Sequence, residues 1–113
     1  MQLPRVFITQ EVPTANYTTA ENFGRVEVLT ASELSHIRNS AHNRKLVGLL
    51  RERLADFNPS IDFIAPSGSP IITGIVFAIL HEKSDEFNVL KWNSRDRMYV
   101  PIYVNIEEQQ DVE

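Results

Sequence analysis

Residues 61–83 read IDFIA-PSGSP-IITGIVFAILHEK, and this stretch decides the fold. A short apolar run rich in Ile and Phe, Ile61 to Ala65, is the length and composition of a buried strand. The pentapeptide Pro66-Ser67-Gly68-Ser69-Pro70 breaks it. Ser69 suits a helix N-cap and Pro70 the first helical position, where a missing N–H costs nothing, so Ile71 to Lys83 is expected to be a helix. A strand that turns straight into a helix is the beginning of a crossover, which points to an α/β domain.

The same reading extends in both directions. Arg5 to Val12 (RVFITQEV), stopped by Pro13, is a strand, and Arg25 to Thr30 (RVEVLT) is a second. Between them Thr18-Thr19-Ala20-Glu21 has capping-box spacing with Gly24 close behind, enough for one or two helical turns. Ser40 to Phe57 is the most helical segment. At about 100° per residue, Leu46, Val47, Leu50, Leu54 and Phe57 share one arc, with Arg44, Arg51 and Glu52 opposite. Asn58-Pro59-Ser60 closes it. Phe87 to Trp92 and Arg97 to Ile106 are strands joined by the turn Asn93-Ser94-Arg95-Asp96, and Pro101 restricts the last to a sheet edge or a bulge.

With right-handed crossovers, the expected architecture is α/β: a small Rossmann-like, mostly parallel sheet of order 2-1-3-4-5 ending in an antiparallel hairpin. The rival is an α+β sheet in which the first two strands form a long hairpin, because Pro13 to Gly24 is barely long enough for a crossover.

The 113 residues make a single domain over 1–106, followed by an acidic tail, 107–113, expected to be disordered. That tail matters for the charge. The net −4 comes from Glu107, Glu108, Asp111 and Glu113; the body to Val104 carries 11 acids and 11 bases, which gives no support for nucleic-acid binding. No cysteine is present, excluding disulfides and thiolate chemistry. No signal-peptide pattern opens the chain, and the apolar run Ile71 to Leu80 falls far short of the ~20 residues of a membrane span, so a cytoplasmic protein with no membrane partner is expected.

Candidate chemistry collects at one place. In an open parallel sheet, ligands bind beyond the carboxyl ends of the strands where the chain direction reverses; for this order that crevice lies between the first and third strands. Thr9, Gln10 and Glu11 end one, and Ser67, Gly68 and Ser69 follow the other. A helix start offers N–H groups and positive potential to an anion, and a glycine lets a phosphate come close to the backbone. A plain capped helix start explains the same residues, and neither GxGxxG nor GxxxxGK[ST] is present. Asn43 lies on the apolar arc of its helix, where it either satisfies nearby backbone or reaches a ligand. Arg38 and Arg44 flank that helix start, within a basic stretch that otherwise reads as a solvated face. Trp92, with Lys91, Arg95 and Arg97, could stack on and pair with a nucleotide, or could simply form an exposed hairpin. His36, His42 and His81 show no metal-ligand spacing, so neither a metal nor a cofactor is expected. Should the protein be an enzyme, Glu11 is the candidate base; as a binder it would instead meet a sugar hydroxyl beside the phosphate.

Glu11-Val12-Pro13, Phe23-Gly24, Ser67-Gly68-Ser69-Pro70, Leu90-Lys91-Trp92-Asn93 and Tyr99-Val100-Pro101 together resemble a group of small α/β proteins encoded by tailed phages, over Arg5 to Val104. The resemblance implies a viral origin and a host-cytoplasm setting, and it brings no catalytic residues. Three readings follow: a binding protein for a nucleotide-like or other anionic small molecule, a small nucleotide- or phosphodiester-cleaving enzyme, and an interaction module that modulates a host protein. Separately, the helix from Ile71 to Leu80 is apolar on nearly every side, which leads to the expectation of a homodimer, with this helix or the strand Tyr99 to Tyr103 near the twofold.

Overall fold

A computed structural model describes residues 3–108. Five strands, β1 (Arg5–Ile8), β2 (Arg25–Val28), β3 (Phe63–Ala65), β4 (Glu86–Asn93) and β5 (Met98–Asn105), form one sheet of order β2-β1-β3-β4-β5. β1 runs parallel to both β2 and β3, and β3 parallel to β4; only β4 and β5 are antiparallel. The Rossmann-like order is therefore the observed one, and the first two strands are not a hairpin. A 3₁₀ turn at Thr18–Asn22 suffices for their crossover. Its cap differs from the capping-box expectation: Asn16 Oδ1 accepts the Thr18 N–H at 2.8 Å, a local Asx turn.

The chain moves from β1 out to β2, then back past β1 to β3, and the two directions of travel put their crossovers on opposite faces. Helix α1 (Ala41–Arg53) and helix α2 (Pro70–His81) share one face, where Leu46, Leu50, Leu54, Ile72, Val76 and Leu80 meet Phe7, Ile64 and Phe87. The other face is thin. Val6, Ile8, Ala65, Leu90 and Tyr99 are covered there by Ala20, Tyr17 and Phe23 of the first crossover. Gly24 is required for that crossover to close: a Cβ on it would lie 2.6 Å from Pro4 O, beside the Arg25 N–H bond to the same oxygen.

Element ends depart from the periodicity in informative ways. Ser40 caps α1, its hydroxyl accepting from Asn43 N, so the helix proper begins at Ala41. It stops at Arg53 although the apolar stripe runs on to Phe57. Tighter turns, Ala55 N–H to Glu52 O and Phe57 N–H to Leu54 O, keep Leu54 and Phe57 three residues apart on the same side, and Phe57 packs on Phe7 at 5.6 Å. Ser69 and Pro70 cap and start α2 as their chemistry requires. Pairing continues past the ends of β1 and β2, through Thr9 N–H to Ala65 O and Glu11 N–H to Thr30 O.

Pro101 sits on the edge strand, and the ladder explains how. Ile106 N–H bonds to Asp85 O, and alternation along the register places Pro101 opposite Leu90 in a non-hydrogen-bonded pair. Its nitrogen thus faces the free edge, where no ladder bond is lost and where it obstructs pairing with another strand. On α2, Ile72, Val76, Ile79 and Leu80 are buried by the chain's own sheet and α1, while Ile71 remains 65% exposed.

Candidate functional site

The switch point between the ends of β1 and β3 is present and it is filled from within. Thr9 is fully buried; its hydroxyl accepts from Ser67 N at 2.8 Å and donates to Ser67 O at 2.9 Å, with Thr73 Oγ1 at 3.1 Å. Gln10 is 3% exposed, and its amide bridges the crevice: Oε1 accepts the Ser69 N–H at 2.6 Å and Nε2 donates to Ser32 O at 2.8 Å. Gly68, at φ +75°, gives the close approach expected of it, but the group that approaches is Gln10: a Cβ there would stand 2.1 Å from its Oε1. The start of α2 is likewise accounted for. Ser69 Oγ accepts from Ile71 N and Ile72 N, and Ser69 O from Thr73 N. The N–H groups of Ser67, Ser69, Ile71, Ile72 and Thr73 are thus bonded inside the chain.

The remaining sequence-derived residues fall around this crevice rather than in it. Asn43 binds the backbone of Ser35 at both ends, Oδ1 from Ser35 N at 2.7 Å and Nδ2 to Ser35 O at 2.9 Å, pinning the loop ahead of α1. Arg44 reaches back to Asn39 O, and Arg38 is exposed on the same loop. Glu11 is exposed, and its carboxylate has no hydrogen-bond or ion-pair partner among the described residues. No group of three or more His, Asp or Glu able to hold a metal occurs among them either.

Beside the filled crevice, at the same carboxyl end of the sheet, lies an open one. A cavity of about 420 Å³ is lined by Tyr17, Ser67, Trp92 and Tyr99 together with Pro66 and the loop residues Thr14, Ala15 and Asn16. The Tyr17 hydroxyl holds it together: it lies 2.7 Å from Ser67 Oγ and accepts from Val12 N at 2.9 Å. Trp92 and Tyr99 stand edge to face, centroids 5.0 Å apart, on paired positions of the hairpin. Burial, with a smaller contribution from Tyr17, pushes the Tyr99 hydroxyl above its ordinary pKa, so it stays protonated near neutrality. Flat rings around a small set of hydroxyls are what a planar ligand with polar substituents requires. Of these residues the sequence reading reached Ser67 and Trp92. It missed Tyr17 and Tyr99 as site residues, although an aromatic in the polar loop after a strand's carboxyl end was a usable signal.

Residues 4–106 match the model of the Phage Pam3 gp32-like protein family. No curated protein and no solved structure matches the chain.

Proposed function

The chain belongs to that phage family, and on this premise we propose that it is a binding protein for a nucleotide-like or otherwise anionic small molecule, held at the carboxyl ends of its strands. The observation that carries this reading is the Tyr17–Ser67–Trp92–Tyr99 cavity. It favours a place one step along the sheet from the switch point, because Gln10 already uses the crevice between β1 and β3. Binding is favoured over cleavage because Glu11, the candidate base, is exposed and lines neither this cavity nor a bonded network with Ser67 to Ser69.

Trp92 is the chain's single tryptophan, so its fluorescence reports the site directly. Titration with a panel of nucleosides and nucleotides should quench or shift that emission, and the ligand that does so should raise Tm, since it binds only the folded chain. Tyr17→Phe, which removes the Ser67 contact while keeping the ring, should weaken the effect. A panel that moves neither emission nor Tm sinks the reading and leaves the host-protein module in its place. Conversion of the bound compound to a product would establish the enzymatic alternative instead.

An assembly belongs with this reading. Ile71 on α2 and Val100, Ile102 and Tyr103 on β5 are exposed apolar side chains that support the expected homodimer. Pro101 on the free edge favours contact through a face over a continuous strand ladder. Light scattering at micromolar concentration should give twice the monomer mass, and a monomer rejects it.

A further inference from the structure

Trp92 and Asn16 border two hollows, not one. The second, about 500 Å³, continues from the ring cavity toward the hairpin loop and is lined by Asn16, Thr19, Trp92, Ser94 and Arg97. Its chemistry differs. Where the first is aromatic and neutral, the second has a cation, Arg97, whose guanidinium makes no salt bridge or hydrogen bond among the described residues.

The hairpin backbone adds a second observation. Arg97 sits at φ 53°, the left-handed region in which glycine or asparagine is comfortable and a long side chain is strained. Asn93 Oδ1 accepts from Arg95 N and Asp96 N, so the loop turns on Asn93 and makes no use of the Arg97 side chain. Local folding would favour glycine at position 97.

Resting on the binding reading above, we propose that the two hollows form one groove for a nucleoside monophosphate, its base against Trp92 beside Tyr17 and Ser67, its phosphate at Arg97. Ser94, on the same wall, supplies a hydroxyl donor to the phosphate oxygens. The charge-assisted contact to Arg97 then separates nucleotide from nucleoside.

Trp92 fluorescence titrations of the full chain with each of the four common nucleosides and its 5′-monophosphate test this, with inorganic phosphate and a short single-stranded oligonucleotide as further probes. For at least one base the monophosphate should bind about tenfold or more tightly than the nucleoside, with a preference that weakens as salt is added. Arg97→Gly should abolish the preference while leaving nucleoside affinity and Tm at or above their original values, because glycine relieves the φ. Ser94→Ala should likewise lower monophosphate affinity without loss of Tm. Nucleoside and monophosphate binding equally, an Arg97→Gly protein that keeps its preference, or an oligonucleotide binding more tightly than any mononucleotide would each overturn the proposal while the binding reading stands. Absence of any response to nucleosides and nucleotides alike removes both.

Discussion

At the amino end of the sheet the chain buries charge; at the carboxyl end it buries neutral polar groups. Asp62 is fully buried at the entrance to β3, where Oδ1 accepts from Arg5 N and Oδ2 from Arg5 Nη2 and Asn58 N, at 2.8–3.0 Å. Arg5, 8% exposed, also meets Asp56 at 3.2 Å and lies over the Phe7 ring. Burial acts to lower the Arg5 pKa, and the hydrogen bonds and charges of Asp62 and Asp56 outweigh it, holding the guanidinium above its ordinary value. A hollow of about 350 Å³ opens there too, between Leu3, Pro4, Arg25 and Asp56. Its charged groups are nevertheless engaged with each other: Arg25 holds Glu27 at 2.8 Å and Arg5 holds Asp56 and Asp62, and the one Arg5 nitrogen without a partner, Nε, is buried out of reach of the hollow. At the carboxyl end Thr9 and Gln10 are just as fully engaged, but beside them Trp92 and Arg97 face an open groove without partners of equal strength. A concave, polar surface points to a ligand only where some of its groups remain uncommitted.

Substitutions that attack each end separately test that contrast. The largest effect is expected from Asp62→Ala. It strips the buried guanidinium of its best partner and removes the acceptor of Arg5 N, which should cost about 3–5 kcal/mol in denaturant unfolding. A loss below about 1 kcal/mol would mean that the amino end is not the staple described here.

Gln10→Ala comes next. Losing one side chain removes two part-buried hydrogen bonds, to Ser69 N and Ser32 O, and should cost about 1–3 kcal/mol. Ligand affinity at Trp92 should be unchanged apart from this loss of stability. Should affinity change many-fold while stability holds, the filled crevice and not the aromatic groove is the site.

Smallest is the exposed pair that ties α1 to α2, Arg51 and Glu82, bidentate at 2.8 and 3.0 Å. The hydrogen bond from Arg51, against a little desolvation, holds the Glu82 carboxyl below its ordinary value of 4.5. Its contribution is therefore present at neutral pH and lost as pH falls through that lowered pKa. Arg51→Ala should lower Tm slightly at pH 7 and not at all at strongly acidic pH; equal Tm differences at both would show that the pair is not the cause.

Much of the architecture could be read along the chain. Strand order followed from apolar runs, crossover lengths and handedness, and the α2 cap from Ser69-Pro70, because each depends on neighbours a few residues apart. Pro101 announced an edge strand for the same reason. Asn43 shows where such reading stops: its place on the apolar arc was visible, while the choice between backbone and ligand was settled by the Ser35 loop folding over it. Asp62 went unremarked inside an apolar strand, since its reason for being there is an arginine 57 residues away.

What the sequence determined by itself is the α/β order, the two helical faces, the neutral body and the likeness to phage proteins. The tertiary structure alone decided which polar groups are spent and which are open. Gln10 finds Ser69 at a separation of 59 residues and Ser32 at 22, and the groove gathers Tyr17, Ser67 and the hairpin pair Trp92 and Arg97 from three segments. Helix and strand periodicity is a local property summed over adjacent residues. A hydrogen-bond partner is whichever group packing brings within about 3 Å, and that distance exists only once the whole chain has closed.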